Sequence, residues 1–306
     1  MIEARGLTKV FGKHKAVDNL SFSVQPGVVT GFLGPNGAGK STTMRLMIDL
    51  DRGAGTTTFN GKRFHELPRP MTEVGILLEA KAFHPTRTAR NHLRMLAAPN
   101  AIPDKRVDEV LELVGLSSVA RKHPKGFSLG MGQRLGLAAA LLGDPDIIML
   151  DEPANGLDPQ GIQWLRDLLK AYAQQGKTVF ASSHLLNEMA LLADHLVVIG
   201  KGQLLADMPM DQFVAQSSHT SIVVRTPHYE RLSQLLRERG VHVTEEPYGR
   251  LSLTGIEQEA VGDLAFAEGM VVHELTTRTA TLEEAFLEAT AGAQEFQGGN
   301  LGGVTA

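Results

Sequence analysis

The sequence contains no cysteine among its 306 residues, which excludes a disulfide framework, a thiolate metal site and a cysteine nucleophile. It also lacks a marked excess of either charge: 30 lysines and arginines stand against 34 aspartates and glutamates, a formal net charge of -4. Without a global positive field to gather nucleic acid or anionic lipid, no nucleic-acid partner is expected, and any phosphate must be bound locally. No apolar run approaches the roughly 18 residues that a membrane-spanning helix needs, and the opening residues hold no apolar stretch of signal-peptide length. The polypeptide is therefore not expected to cross a membrane by itself. Tandem repeats of solenoid period are absent too. What is present is a globular composition, 42% hydrophobic and 21% charged, at a length that suggests about two domains. Glycine is abundant at 32 residues, and where those glycines fall is informative.

The alternation of apolar and polar residues predicts strands over Ile2 to Leu7 and Leu20 to Val24, an antiparallel edge with a turn at Gly12. Val28 to Leu33 is continuously apolar, as expected for a strand buried on both faces, and runs into the glycines Gly34 to Gly39 before a helix that opens near Lys40. Thr56 to Phe59 and Lys62 to Phe64 flank Asn60-Gly61, a hairpin signal. From about Ala80 to Gly143 the spacing is helical (Thr88 to Ala97, Lys105 to Val114, Leu135 to Leu142), which predicts a helical insertion. Strands at Ile147 to Leu150, Thr178 to Ser182 and His195 to Ile199 then alternate with helices at Gln160 to Gln174 and Leu186 to Ala193. That alternation predicts an α/β core with a mostly parallel sheet. After about Ser217 the order becomes βαββαβ: Ser221 to Arg225, His228 to Arg239, Val241 to Glu245, Arg250 to Thr254, Glu257 to Phe266 and Met270 to Leu275. This is the order of a ferredoxin-like α+β sandwich. A helix over Leu282 to Thr290 follows, and the glycine-rich stretch 293–306 reads as a flexible tail.

Gly34, Pro35, Asn36, Gly37, Ala38, Gly39, Lys40, Ser41 and Thr42 match the phosphate-binding loop pattern. Glycines let successive backbone N–H groups turn around phosphate oxygens, and the helix that follows adds its positive dipole end. In that pattern Lys40 reaches the β and γ phosphates and Ser41 ligates Mg²⁺. A second signal is Asp146 to Glu152, a short buried strand that ends in two carboxylates. At the C-terminal end of a parallel strand, Asp151 is placed to hold Mg²⁺, directly or through water, and Glu152 to act as general base toward a water.

With these motifs in this order, the chain resembles the nucleotide-binding subunit of an ATP-binding cassette (ABC) transporter over residues 1–216. The family's signature, Leu-Ser-Gly-Gly-Gln, corresponds to Phe127-Ser128-Leu129-Gly130-Met131, which retains Ser128 and Gly130. Ser128 also suits an ordinary helix N-cap. The resemblance implies further roles. The signature contacts the γ-phosphate held by an opposite subunit, the stretch through Asp158 is the crossing point between two cassettes, and His184 senses the γ-phosphate. Phe11 occupies the place of the ring that stacks on adenine, although it could equally fill the small β edge, and Val17 that of a small apolar residue nearby. Glu79 stands where the family has Gln, keeping an oxygen for Mg²⁺ or water but losing the amide donor. Ala82-Phe83-His84-Pro85 corresponds to the surface that receives the membrane subunit.

The resemblance thus implies ATP and Mg²⁺ as cofactors, a second cassette as dimer partner and separate membrane-embedded permease subunits, with the chain peripheral on the cytoplasmic face. The catalytic set is Lys40, Glu152 and His184, and the metal set Ser41, Glu79 and Asp151. A GTPase is disfavoured because no Asn-Lys-x-Asp string occurs. A soluble non-transport ABC ATPase and an ATP-sensing regulatory module are the alternatives. The region after residue 217 is similar to the C-terminal extension of bacterial subunits that drive multidrug, antibiotic or lantibiotic export, and the transported substrate is not written in this chain.

Overall fold

The computed structural model describes residues 1–79, 82–84, 86–217 and 221–291. The tail at 293–306, together with Ala80 and Pro85, lies outside the described residues. The chain forms two compact units, one of Met1–Met210 together with Thr290 and one of Asp211–Ala289. The Met210 amide donates to the Asp194 carbonyl at 3.0 Å, at the end of the first unit's continuous stretch.

In the first unit the order is β1 (Ile2–Phe11), β2 (His14–Val24), β3 (Val29–Leu33), α1 (Lys40–Met47), β4 (Ala54–Phe59), α2 (Pro70–Glu73) and β5 (Val74–Leu77). There follow α3 (Ala89–Ala97), α4 (Asp104–Leu113), α5 (Leu129–Leu141), β6 (Ile147–Leu150), α6 (Pro159–Gln174), β7 (Thr178–Ser182), α7 (Leu186–Leu192), β8 (His195–Gly200) and β9 (Gln203–Pro209). A six-stranded sheet runs β5-β6-β7-β3-β8-β9. Its strands are parallel except β9, which returns antiparallel beside β8. A separate antiparallel sheet has the order β2-β1-β4.

β3, β6 and β7 are buried along their whole length, as strands covered on both faces must be. Phe22 of β2 stacks on Phe32 of β3 and on Phe180 of β7 at centroid separations of 5.8 and 5.6 Å, and Phe32 and Phe180 lie 5.1 Å apart. This buried trio joins the two sheets, and each ring contributes about 1.5–3 kcal/mol by leaving water. The helical insertion is anchored by closer contact still. A side chain added at Gly75 of β5 would place its Cβ 2.0 Å from the Ala140 carbonyl oxygen of α5, so strand and helix meet backbone to backbone.

Several local expectations change. β1 and β2 run further than their alternation suggests, to Phe11 and from His14. Gly6, at φ +60°, breaks the register of β1, and its amide is satisfied by the Ser21 hydroxyl at 2.8 Å. The hairpin expected at Asn60-Gly61 shrinks to one bridge between Phe59 and Lys62. The Glu66 carboxylate takes the Arg63 amide at 2.8 Å, and the chain coils into one 3-10 turn over Phe64–Glu66. α5 starts at Leu129, well before Leu135. β5 and β9 had no strand signal strong enough to stand out, β5 because Gly75 interrupts its short apolar run.

The second unit begins with α8 (Met210–Ala215), whose residues from Asp211 onward belong to it. It continues with β10 (Ser221–Arg225), α9 (Tyr229–Glu238), β11 (His242–Glu246), β12 (Arg250–Thr254), α10 (Gln258–Ala267), β13 (Glu274–Arg278) and α11 (Leu282–Thr290), whose residues as far as Ala289 belong to it. The sheet order β11-β12-β10-β13, antiparallel throughout, makes this the ferredoxin-like sandwich. The last strand lies later than Met270 to Leu275: the Met270 amide closes the end of α10 by donating to the Ala265 carbonyl at 2.8 Å, and the ladder with β10 runs from Glu274 to Arg278. Leu232 and Leu236 of α9 and Val261 of α10 pack on Val224, Leu251 and Leu253. Among the described residues no helix is long and apolar enough to cross a membrane.

The contact at Gly75 yields a stability test. Gly75→Ala should lower stability by about 1–3 kcal/mol or more through overpacking. Gly126→Ala, where an added Cβ meets nothing within 4 Å, should stay within about 0.5 kcal/mol of the parent. Urea midpoints of the two variants check this.

Candidate active site

β3 delivers the chain to Gly34, where a Cβ would lie 2.7 Å from the Ile199 carbonyl oxygen. The loop can pass β8 only without a side chain. At its far end Gly39 adopts φ +100°, and a Cβ there would come 2.3 Å from the Ala16 carbonyl oxygen. These two constraints hold the loop while α1 begins at Lys40. The Lys40 ammonium folds back into the loop and donates to the Gly34 carbonyl at 2.6 Å. Burial pushes its pKa down, partly offset by the carboxylates of Glu152 and Asp151. A cation held in a glycine loop with no carboxylate bonded to it is poised for an anionic ligand.

The opposing wall is built from β6 and β7. Asp151, buried, follows β6, and its amide donates to the Leu77 carbonyl of β5 at 2.7 Å. Its Oδ1 accepts from the Ser182 hydroxyl at 2.5 Å. Glu152 sits at φ +50°, a left-handed conformation that costs a side-chain-bearing residue about 1–2 kcal/mol. Its amide donates to Ser182 Oγ at 2.9 Å, and its carbonyl accepts from Gln133 Nε2 of α5 at 3.1 Å. The Glu152 Oε2 atom lies 2.6 Å from His184 Nδ1 and accepts from the His184 amide at 3.2 Å. Since a carboxylate only accepts, Nδ1 carries the proton of that pair.

Between these walls lies a cleft of about 470 Å³ lined by Ala16, the loop from Pro35 to Thr42, Glu152, Asn155 and His184. Residues far apart in sequence thus meet in one space: the phosphate loop, the proposed base and its histidine. A neighbouring cavity of about 570 Å³ is lined by Ser41, Arg45, Glu79, Phe83 and Asp151 among others, and Ser41 borders both. The hydroxyl of Ser41 and the carboxylates of Asp151 and Glu79 are hard oxygen donors that suit Mg²⁺. Among the described residues no group of three or more His, Asp or Glu is arranged to hold a metal ion by itself, so phosphate oxygens and water would complete the shell, as is usual for this ion.

Other residues sit apart from the cleft. Val17 is wholly buried in the core beside Gly39 and Gly202, so Ala16, not Val17, lines the cleft. Phe11 is 52% exposed at the end of β1, with the Lys9 ammonium 4.8 Å from its ring centre. Gly34 underlies the loop rather than lining it. Ser128 caps α5, its hydroxyl accepting from the Met131 amide at 3.2 Å, and the Asp158 carboxylate caps α6 through the Gly161 amide at 2.9 Å. A Cβ at Gly130 would lie 2.6 Å from the Gly156 carbonyl oxygen, so the segments of Ser128 and Asp158 press together on a surface outside the cleft. Ala16, Asn155, Ser182 and Gln133 were given no role of their own from sequence. Asn155, Ser182 and Gln133 had a signal in their closeness to Asp158, His184 and Ser128, and Ala16 had none.

Comparison with known proteins agrees with this geometry. The ABC transporter family matches residues 17–155, and a family described as a domain of unknown function, DUF8746, matches residues 220–283. The bacitracin transport ATP-binding protein BcrA of Bacillus licheniformis is 34% identical over 95% of this chain and 98% of its own length. The chain belongs to the ABC transporter ATP-binding subunits. The lantibiotic transport ATP-binding protein SrtF of Streptococcus pyogenes is 33% identical over 69% of this subunit and 92% of its own length. A solved ATP-binding subunit of an ABC transporter superposes with a TM-score of 0.65 at 26% identity, covering 71% of this ABC subunit and 92% of that chain. A dimeric cassette bound to ADP and Pi shares the fold, with a TM-score of 0.63 at 23% identity over 68% of this chain and 98% of that one. The ABC subunit is accordingly an ATP hydrolase.

Lys40 gives this subunit a testable signature. Because its folded pKa is depressed, the unfolded chain binds more protons between that lowered value and the ordinary 10.5, so parent stability gains with pH across that window. Lys40→Met should match or exceed the parent's thermal midpoint at pH 7 without nucleotide, lose that gain with pH, and bind ATP at least about 10-fold more weakly. A lower midpoint for the variant would make Lys40 a net stabiliser even without phosphate.

Proposed function

We propose that the subunit powers export of a drug, antibiotic or peptide through separate membrane-embedded permease subunits, with Glu152 as the base for ATP hydrolysis. The observation that carries the catalytic reading is the single cleft in which the Glu152 carboxylate, held by His184 at 2.6 Å, shares a wall-to-wall space with the phosphate loop. Loop amides and the Lys40 ammonium bind the phosphates and stabilise charge that develops on the transferred phosphoryl group. Glu152 accepts the proton of the attacking water, and His184 fixes the carboxylate and positions the γ-phosphate. Bound Mg²⁺ supplies further neutralisation of phosphate charge, and Ser41, Asp151 and Glu79 are the residues that would hold it. The positive charge of the ion and of Lys40 offsets the extra carboxylate that Glu79 brings.

Phe11 offers its exposed ring to adenine, and Val17 supports the loop from beneath. Ser128, Gly130 and Asp158 present a surface to the ATP of a second cassette, so the working unit is a dimer with composite sites. Closure on ATP and release after hydrolysis would drive the permease, with Ala82, Phe83 and His84 on the docking surface. Export and a peripheral place at the cytoplasmic membrane face are inferred from the transport proteins BcrA and SrtF that the chain resembles.

Glu152→Gln should bind ATP within about threefold of the parent, hydrolyse it at least about 100-fold more slowly, and accumulate as an ATP-dependent dimer in light scattering. Turnover at the parent rate would remove Glu152 from the base role. For the transport reading, purification of the tagged subunit from detergent-solubilised membranes should recover an integral membrane protein in stoichiometric amount, and reconstitution of the pair should raise ATPase activity. Recovery of the subunit alone from a membrane-free fraction would favour a soluble ATPase instead.

A further inference from the structure

Ser182 is the last residue of β7 and has no solvent exposure. Its one hydroxyl makes two bonds with opposite polarity. It donates to Asp151 Oδ1 at 2.5 Å and accepts from the Glu152 amide at 2.9 Å. Neither direction is ambiguous when Asp151 is ionised, because a carboxylate only accepts and an amide N–H only donates. The hydroxyl proton therefore lies on the Asp151 side, and the oxygen lone pair faces Glu152. Glu152 is the residue at φ +50°, where a side-chain-bearing backbone stays only when its surroundings hold it. Gln133 of α5 grips the opposite end of that residue through its carbonyl at 3.1 Å. Ser183, the next residue, differs: its hydroxyl accepts the Leu185 amide at 2.9 Å, a bond confined to its own turn.

We propose that Ser182 is a positioning residue for ATP hydrolysis, its hydroxyl setting the register between the Asp151 carboxylate and the left-handed backbone that aims Glu152 into the cleft. Nothing in this role requires Ser182 to touch nucleotide. It acts through two neighbours, one proposed to hold the metal and one to activate water, and it links them so that a shift in either is felt by the other. Gln133 completes the hold on Glu152 from the helix that Ser128 caps, so the base is fixed to both the sheet and the helical insertion of its own chain. The inference rests on the reading of Glu152 as the base.

The test compares Ser182→Ala, Ser182→Thr and Glu152→Gln in the full chain, with steady-state ATPase kinetics, Mg²⁺ titration at saturating ATP, nucleotide binding and thermal midpoints. Ser182→Ala should lower kcat by about 10- to 100-fold, the scale of a misplaced catalytic group, while KM for ATP stays within about threefold. Its Mg²⁺ activation midpoint should rise severalfold. Ser182→Thr, which keeps the hydroxyl, should recover kcat to within about threefold of the parent. Should a lost thermal midpoint show that the extra methyl is not accommodated, the kcat-against-KM split of Ser182→Ala decides alone. Turnover of Ser182→Ala within about twofold of the parent overturns the proposal, as does a loss of kcat matched by an equal loss of nucleotide affinity. If Glu152→Gln also turns over at the parent rate, the base assignment is what fails. If Glu152→Gln is inactive and Ser182→Ala is not, the positioning role alone is refuted.

Discussion

The C-terminal ends of β3, β6 and β7 stand level because the three strands pair in parallel, Leu150 beside Ala181 and Ser182 beside Phe32. The glycine loop and the two carboxylates of the cleft hang from that alignment. The strand beside Ser182 continues into Gly34, and the strand beside Ala181 continues into Asp151 and Glu152. A phosphate loop and a pair of carboxylates therefore open into the same space. In parallel sheets the crossovers lie on the faces and the strand ends are left to loops, which is why such ends bind ligands. The Phe22, Phe32 and Phe180 cluster behind these ends holds the antiparallel sheet to the parallel one.

Close backbone approach is the second constraint, and it sets where the insertion and the loop can go. Gly39 against Ala16, Gly75 against Ala140 and Gly130 against Gly156 are all positions where one added carbon would strike a carbonyl oxygen. The first shapes the phosphate loop, the second seats α5 on β5, and the third brings the segment of Ser128 against that of Asp158. Glycine here serves proximity as much as turning. The reading of Val17 follows from the same packing: it sits under Gly39 in the core, so its contribution to a nucleotide site is the shape of the loop above it.

The electrostatics of the cleft are asymmetric. Lys40 is buried among carbonyl oxygens and loses hydration, while Glu152 and Asp151 restore only part of that loss. On the other wall the carboxylates are held by the Ser182 hydroxyl and by His184. A polyphosphate with its metal ion would complete both walls, adding anion to the cation side and cation to the anion side. Local complementarity of this kind is consistent with a chain whose net charge is only -4.

Much of the proposed chemistry was legible in sequence because it is local: Gly34 to Ser41 and Asp151-Glu152 are contiguous strings whose proposed roles follow from strand-loop-helix order. The α/β order and the βαββαβ order were legible for the same reason, since periodicity is a property of neighbours along the chain. The missed or shifted elements failed where tertiary contacts override that signal. β5 carries a glycine and is drawn into the sheet by pairing with β6, and the last strand moved to Glu274 because the Met270 amide is taken by the Ala265 carbonyl at the end of α10. The hydroxyl of Ser182 and the amide of Gln133 lie 30 and 19 residues from Glu152, and their closeness to His184 and Ser128 along the chain says nothing of that contact. The sequence alone determined the reactive groups and the family they resemble. Only the tertiary structure decided which backbone holds them, because hydrogen bonds between distant residues exist only once strands and helix have been brought together.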